Sequence, residues 1–159
     1  KQPVNIHELL EYVVKLIEAE DQRWLDIRRD YDAGLPEIDL DRDQMVQAFL
    51  NLVRNAAAAL EGHGTITLRT RAVTNFTIGD TRHKVIASIE IEDDGPGIPF
   101  DMQDSVFYPL VTSRPEGTGL GLGIVKNIIE AHDGELEIAN RASQGAQIIV
   151  TLPVQPGVS

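Results

Sequence analysis

The chain has 159 residues, of which 42% are hydrophobic and 25% charged, and it carries a net charge of −11 and no cysteine. This length and composition predict one globular domain over residues 1–159, and they exclude a disulfide scaffold, a cysteine nucleophile and a thiolate metal site. The acidic balance, with no cluster of Lys and Arg, argues against a nucleic-acid partner, and no apolar run approaches the roughly 20 residues of a membrane span.

The two ends of the sequence are those expected of a piece of a longer protein. Residue 1 is Lys and not Met, the first residues form no signal peptide, and residues 153–157 are typical of a tail. We therefore expect further protein before Lys1, a cytoplasmic location and no direct contact with a membrane.

Two amphipathic helices are predicted in the first half of the chain. Apolar residues at three- and four-residue steps predict a helix over residues 6–18. One or two short strands are predicted over residues 24–30. The carboxylates of Asp41 and Asp43 then offer N-caps for a second helix, whose apolar stripe extends to Leu60.

Strands and a long irregular stretch are predicted next. Alternating apolar residues predict strands over residues 65–73 and 85–91, joined by a hairpin connection over residues 74–82 with its turn at Gly79-Asp80. Residues 99–118 have no sustained period, and loops of that length in compact domains are usually functional or mobile.

The last part of the chain predicts a helix and two closing strands. The helix covers residues 120–132 and ends at Asp133-Gly134, and the strands cover residues 135–139 and 146–152. This order of elements predicts an α/β two-layer sandwich with a largely antiparallel sheet.

Three groups of polar or small residues are candidates for a site. Helical spacing places Gln47, Asn51 and Asn55 on one stripe, which favours either a solvated face or amide oxygens that help to hold Mg²⁺. Alternation places Asp93 on the apolar face of its strand, where it is either part of a turn or an acceptor for an adenine amine.

The third candidate is a glycine string at the start of the last helix. Residues 117–123, Gly-Thr-Gly-Leu-Gly-Leu-Gly, would place free backbone N–H groups and the positive end of a helix dipole against a phosphate, although a flexible hinge has the same composition. The string matches neither the Rossmann fingerprint nor the Walker A pattern.

Four motifs taken together resemble, in chain order, the N, G1, F and G2 boxes of sensor histidine kinases. They are residues 51–56 (Asn-Leu-Val-Arg-Asn-Ala), 93–99 (Asp-Asp-Gly-Pro-Gly-Ile-Pro), 107–110 (Phe-Tyr-Pro-Leu) and 117–123. Residues 103–111 further resemble nitrogen-regulation sensor kinases of the NtrB type. The resemblance implies the GHKL superfamily and its Bergerat fold, a mixed, mostly antiparallel sheet on three helices, with an ATP lid at about residues 99–118.

The resemblance also implies ATP and Mg²⁺ as cofactors, and roles for individual residues. Asn55 would bind the metal, Asn51 would support the metal and phosphates, and Arg114 would meet the γ-phosphate. Asp93 would read adenine, and the remaining nucleotide contacts would come from Gly95, Gly97, Ile98, Gly117, Thr118, Gly119, Leu120, Gly121 and Leu122.

This chain departs from the family pattern just after the metal-binding position. Many members carry a basic residue three or four positions after Asn55, where Ala58 and Ala59 stand here. Arg54 and Arg114 are therefore the expected sources of positive charge for the phosphates.

The implied reaction transfers the γ-phosphate to a histidine on a separate dimerisation domain of the same protein. A response regulator of the NtrC type would follow as partner, the PII signalling protein is a further candidate, and the full-length protein would be a homodimer. None of the four histidines in the chain lies in an acceptor motif, including His7, so all four are predicted to be structural.

Three alternatives remain open. ATP hydrolases of the same superfamily carry a Glu where Asn51 stands, so this chain lacks their general base and hydrolysis is disfavoured. A serine-directed kinase and a non-catalytic docking module are the other two.

Overall fold

A five-stranded sheet with three helices on one of its faces makes up most of the described chain. The computed structural model describes residues 1–20, 25–60, 64–78, 81–94, 118–140 and 146–154. Among these residues no helix is long and apolar enough to cross a membrane. In chain order the elements are β1 (Gln2–Val4), α1 (Ile6–Glu18), β2 (Leu25–Asp30), β3 (Ile38–Leu40), α2 (Arg42–Leu60), β4 (Gly64–Ile78), β5 (Thr81–Asp93), α3 (Thr118–Ala131), β6 (Glu135–Asn140) and β7 (Ala146–Pro153).

The main sheet has the order β2-β4-β5-β7-β6. The pair β2–β4 is parallel, whereas β4–β5, β5–β7 and β6–β7 are antiparallel. One face of this sheet packs on the helices, and its central side chains are at most 1% exposed: Ile66, Leu68, Ile89, Ile91, Val150 and Leu152. The arrangement confirms the predicted α/β two-layer sandwich with a mixed, mostly antiparallel sheet.

Both N-terminal helices begin at side-chain caps, of which the sequence predicted the one at Asp41 and not the one at Asn5. The Asn5 side chain accepts hydrogen bonds from the backbone N–H groups of His7 and Glu8, at 2.9 and 3.3 Å, and α1 occupies the predicted residues. Asp41 caps α2, because its Oδ1 accepts from the Gln44 N–H at 3.1 Å. These contacts satisfy N–H groups that have no acceptor inside the helix.

Helix α3 ends at Asp133 and Gly134. Asp133 takes the left-handed conformation, with φ of 61°. The Gly134 N–H donates to the Ile129 carbonyl at 2.9 Å and the Asp133 N–H to the Glu130 carbonyl at 3.0 Å, which is a Schellman motif. A Cβ on Gly134 would lie 2.4 Å from the Thr151 carbonyl oxygen, so glycine is required by the close approach of β7.

The strand pairing extends beyond the prediction in two places. Residues 74–78 and 81–82, expected within a hairpin connection, continue the β4–β5 ladder as far as the Ile78–Thr81 pair. Their Thr, Phe and Ile residues have high β-propensity, which explains the extension. A separate two-stranded sheet, β1–β3, was not predicted because three-residue strands carry too little alternation to be recognised.

Two histidines tie helices to their neighbours. His132 is buried, and its Nε2 accepts from the Asp41 N–H at 3.1 Å while its Nδ1 donates to the Ile128 carbonyl at 2.8 Å, which joins the end of α3 to the cap of α2. The His7 ring stacks on Tyr31 with centroids 4.5 Å apart, and its Nε2 lies 2.8 Å from Thr70 Oγ1. Both side chains therefore make the contacts that a structural role requires.

Candidate functional site

The candidate residues lie on three elements that pack together. Helix α2 packs against α3 and against β5. Asn51 and Asn55 lie on α2, Asp93 is the last residue of β5, and Thr118 is the first residue of α3. Helix α2, which carries the two asparagines, therefore contacts both elements that carry the other candidate residues.

The amide of Asn55 has a polar atom that lacks a partner. Its Nδ2 is buried and makes no hydrogen bond to the part of the chain that the structure describes. A buried amide group without a partner costs about 1–3 kcal/mol, so such a group in a native fold calls for an explanation. The two ends of an amide have nearly the same shape, and a half-turn about the last side-chain bond would put Oδ1 at the same position. An oxygen held there fits a ligand for a hard cation such as Mg²⁺.

Asn51 lies one turn before Asn55 and is half-buried, whereas Gln47, one turn earlier again, is exposed. The polar stripe of α2 thus runs from solvent at Gln47 into the packed region at Asn55. This gradient is not that of a uniformly solvated helix face, which was the other interpretation of the stripe.

Asp93 is held at the end of β5 with its side chain facing the helices. It pairs with Ile66 across the ladder and is 4% exposed, as the alternation predicted. Its Oδ1 accepts a hydrogen bond from the Ala146 N–H at 3.3 Å. An ionised carboxylate offers about four lone-pair positions, so this contact is compatible with an adenine amine as an additional donor.

The neighbouring residues Gly64 and Asp94 brace the end of β5 against α2. Asp94 Oδ1 accepts from the Thr65 N–H at 3.0 Å. A Cβ on Gly64 would lie 2.8 Å from Asp94 Oδ1 and 2.7 Å from Leu60 Cδ2, so only glycine fits between the helix end and this carboxylate. The sequence pattern did not predict this contact between the end of α2 and Asp94. The glycine that follows the apolar stripe of α2 was the one feature of the sequence that could have indicated it.

The start of α3 contains five of the predicted nucleotide contacts. Thr118, Gly119, Leu120, Gly121 and Leu122 form its first turns. The first N–H groups of a helix have no intrahelical acceptor and lie at the positive end of its dipole, which favours an anion. The backbone of α3 is therefore suited to the predicted role.

The remaining predicted contacts lie outside the described residues. They are Gly95, Gly97, Ile98, Arg114 and Gly117, together with residues 99–117 of the predicted lid. Their roles stay predictions.

Arg54 is engaged by a carboxylate and does not extend freely toward the site. Its Nε donates to Glu20 Oε1 and Oε2 at 3.2 and 3.1 Å, and its Nη2 also donates to Oε2. These hydrogen bonds lower the pKa of Glu20 and raise that of Arg54, so both groups are charged near neutral pH. The positive charge expected for the phosphates is thus already paired within the fold.

Comparisons with known proteins agree with this geometry. The family model described as histidine kinase-, DNA gyrase B-, and HSP90-like ATPase matches residues 40–156. The chain is 50% identical over 140 residues to the sensory histidine kinase/phosphatase NtrB of Vibrio alginolyticus, covering 87% of this chain and 40% of that protein. It is 44% identical over 153 residues to the NtrB of Klebsiella oxytoca, covering 95% and 43%. The chain thus spans about two-fifths of the length of these relatives.

Solved structures with the same fold are also histidine kinases. The catalytic domain of histidine kinase ThkA superposes with a TM-score of 0.81 at 28% identity, covering 96% of this chain and 95% of that one. Full-length ShkA in complex with AMPPNP superposes with a TM-score of 0.77 at 27% identity, covering 96% and 30%. ThkA in complex with the response regulator TrrA gives 0.79 at 25% identity, covering 99% and 43%. The chain belongs to the family of histidine kinase-, DNA gyrase B- and HSP90-like ATPases, and within that family it is similar to the catalytic domains of sensor histidine kinases.

Proposed function

We propose that this chain binds Mg-ATP and donates the γ-phosphate to a histidine on a separate dimerisation domain, in a two-component system of the nitrogen-regulation type. The observation that carries the proposal is the buried amide of Asn55, whose Nδ2 has no partner among the described residues. The resemblance to histidine kinases implies a nucleotide at this region, and full-length ShkA, which has the same fold, was solved in complex with AMPPNP. The amide oxygen of Asn55 would suit the Mg²⁺ of such a nucleotide.

Each residue has a distinct part in binding. Asn55 would hold Mg²⁺ through its amide oxygen, with Asn51 beside it toward the phosphates. Asp93 would accept a hydrogen bond from the adenine amine, and the N–H groups at the start of α3 would face the phosphates. Mg²⁺, when bound, would offset the negative charge that develops on the phosphates during transfer.

The nucleophile comes from outside the chain. A neutral imidazole nitrogen of the acceptor attacks the γ-phosphorus, the bond to the β,γ-bridging oxygen breaks, and ADP leaves with that electron pair. Phosphoryl transfer requires mainly positioning and charge stabilisation from the donor domain, so no general base is needed here. Asn51, at the position where the hydrolases of the family carry Glu, fits a donor that does not activate water.

The partners are proposed on the strength of the relatives. The NtrB proteins are named as sensory histidine kinases and phosphatases, and ThkA was solved with a response regulator. We infer a cytoplasmic domain of a homodimeric kinase whose phosphoryl group passes to a response regulator of the NtrC type, with PII as a candidate regulator.

The test is transfer of label from γ-labelled ATP to a separately supplied histidine-containing dimerisation domain. Asn55→Ala is expected to abolish Mg²⁺-dependent labelling, because it removes the metal's protein ligand. Gln47→Ala, on the same stripe but exposed, is the matched control and should transfer at the wild-type rate. Thermal unfolding of both variants checks that each is folded. Normal labelling by folded Asn55→Ala would rule out the metal role of this residue.

A further inference from the structure

The ion pair between Glu20 and Arg54 connects the turn after α1 with helix α2, which carries Asn51 and Asn55. Glu20 lies in the turn after α1, and Arg54 lies on α2 directly before Asn55. The two side chains are 34% and 47% exposed, so solvent and ligands can reach both. The carboxylate is bound by Nε and Nη2 of the guanidinium, which are two donors of the fork that Arg also offers to phosphate.

Arg54 is the one cation of α2 that lies near Asn55. The helix contains a single other basic residue, Arg42, twelve positions earlier, or about 18 Å along the axis. The Arg42 guanidinium lies 5.0 Å from the ring centroid of Tyr12, at the opposite end of the helix. Ala58 and Ala59 occupy the following turn, so no other side chain of α2 can supply positive charge there.

The position of Arg54 on the helix suits contact with the phosphates. It follows Asn51 by three residues, and residues at that spacing have Cβ atoms about 5–6 Å apart on the helix surface. A long and flexible side chain at that point can turn either toward Glu20 or toward an anion beside Asn51 and Asn55. Exposed ion pairs are worth only a few-fold in an equilibrium constant, so a polyanion of higher charge can replace the carboxylate.

We propose that Glu20 is the resting counter-ion of Arg54 and that the phosphates of the bound nucleotide displace it from the guanidinium. Arg54 is then a phosphate-binding residue, and Glu20 is a positioning residue that acts through it. The inference rests on the proposed function, since it requires a nucleotide at this site.

The proposal makes opposite predictions for the two partners. Glu20→Gln leaves Arg54 without a competitor and should tighten Mg-ATP binding by about two- to fivefold, the size of an exposed ion pair. Arg54→Gln removes a charge-assisted contact and should weaken binding by about tenfold. In the Arg54→Gln background, Glu20→Gln should have no further effect, because Glu20 acts only through the guanidinium.

Calorimetric titration of the 159-residue chain with Mg-ATP at low and high salt tests these predictions. Asp26→Asn is the matched control, because it also removes one negative charge and breaks an exposed ion pair, that with Arg28, but on β2. It should leave affinity unchanged, and added salt should shrink the effect of Glu20→Gln. Arg54→Lys, which keeps the charge but not the fork, should bind with intermediate affinity and replaces Arg54→Gln if the latter fails to fold.

The outcomes separate this proposal from the function on which it rests. If the wild-type chain binds no Mg-ATP, the proposed function is wrong. If it binds while Glu20→Gln and Arg54→Gln both keep wild-type affinity, only the displacement of Glu20 is wrong. An effect of Glu20→Gln that persists without Arg54, or that Asp26→Asn reproduces, would also overturn the proposal, since it would reflect net charge alone.

Discussion

Asp93 makes a structural contact with the Ala146 N–H and has a proposed role in binding adenine, and the two can be separated by the choice of substitution. Asp93→Ala would remove the acceptor of the Ala146 N–H as well as the acceptor proposed for the adenine amine. A loss of ATP affinity in that variant could therefore come from a loss of stability. Asp93→Asn keeps one acceptor oxygen and removes the charge. We predict that Asp93→Asn weakens ATP binding by about 1–3 kcal/mol, because its amide donors face the donor amine of adenine.

The measurement for Asp93 is calorimetric titration with ATP, with a denaturation curve for each variant. Asp94→Asn is the control, since Asp94 is exposed and its carboxylate accepts a hydrogen bond from the Thr65 N–H. Unchanged ATP affinity in a folded Asp93→Asn variant would contradict the assignment of adenine recognition to this residue.

Asp133 holds a backbone conformation that glycine adopts more easily. Its φ of 61° and its place at the negative end of the α3 dipole are both unfavourable for Asp. We predict that Asp133→Gly raises the free energy of unfolding by roughly 0.5–1 kcal/mol. Urea denaturation is the measurement, and Gly134→Ala, whose Cβ would lie 2.4 Å from the Thr151 oxygen, should destabilise strongly. A loss of stability in Asp133→Gly would contradict this explanation of the helix end.

The first helix is linked to the sheet by a group that titrates near neutral pH. Burial lowers the pKa of His7 below its ordinary value of 6.5, and the charges of Asp32 and Glu11 partly offset that effect. Above pH 6.5 the imidazole is neutral in both folded and unfolded chains. Below it the unfolded chain takes up the proton first, so the free energy of unfolding falls as the pH is lowered.

We predict that this decline between pH 7.5 and 5.5 is smaller in His7→Phe. Phenylalanine keeps an aromatic ring against Tyr31 but cannot titrate. The pKa values of Glu11 and Asp32 lie below their ordinary values of 4.5 and 3.8, so the contribution of these carboxylates to the free energy of unfolding is lost only at more acid pH. Denaturation across this range is the measurement, and equal slopes for His7→Phe and the wild type would exclude His7 as the source.

Helices were easier to predict than the ends of strands. The apolar stripes of α1 and α2 and the cap at Asp41 are local features, so the sequence alone predicted both helices. The extension of β4 and β5 to Ile78 and Thr81 depends on pairing between strands, which the periodicity of either segment does not contain. The same holds for the small β1–β3 sheet, because α1 and β2 lie between its two strands in the sequence.

At the scale of the molecule, the sequence predicted the motifs of the candidate site and their order along the chain, but not the contacts around them. The sequence predicted that Asp93 lies on the apolar face of its strand, which its burial confirms, and it placed Asn55 on the polar stripe of α2. It did not predict that Glu20 pairs with Arg54, because that contact joins residues 34 positions apart, one in the turn after α1 and the other on α2. Nor did it predict that Gly64 must be glycine to pass between Leu60 and Asp94, since this follows from packing and not from backbone conformation.

The central claim is that the phosphoryl group goes to a histidine and not to water. The most direct measurement follows labelled γ-phosphate from ATP, with and without an added histidine-containing dimerisation domain, and compares label on protein with label released as inorganic phosphate. The proposed function predicts that ATP is consumed mainly when the acceptor is present and that the label is found on its histidine. Release of inorganic phosphate at the same rate without the acceptor would contradict it and identify the chain as an ATP hydrolase.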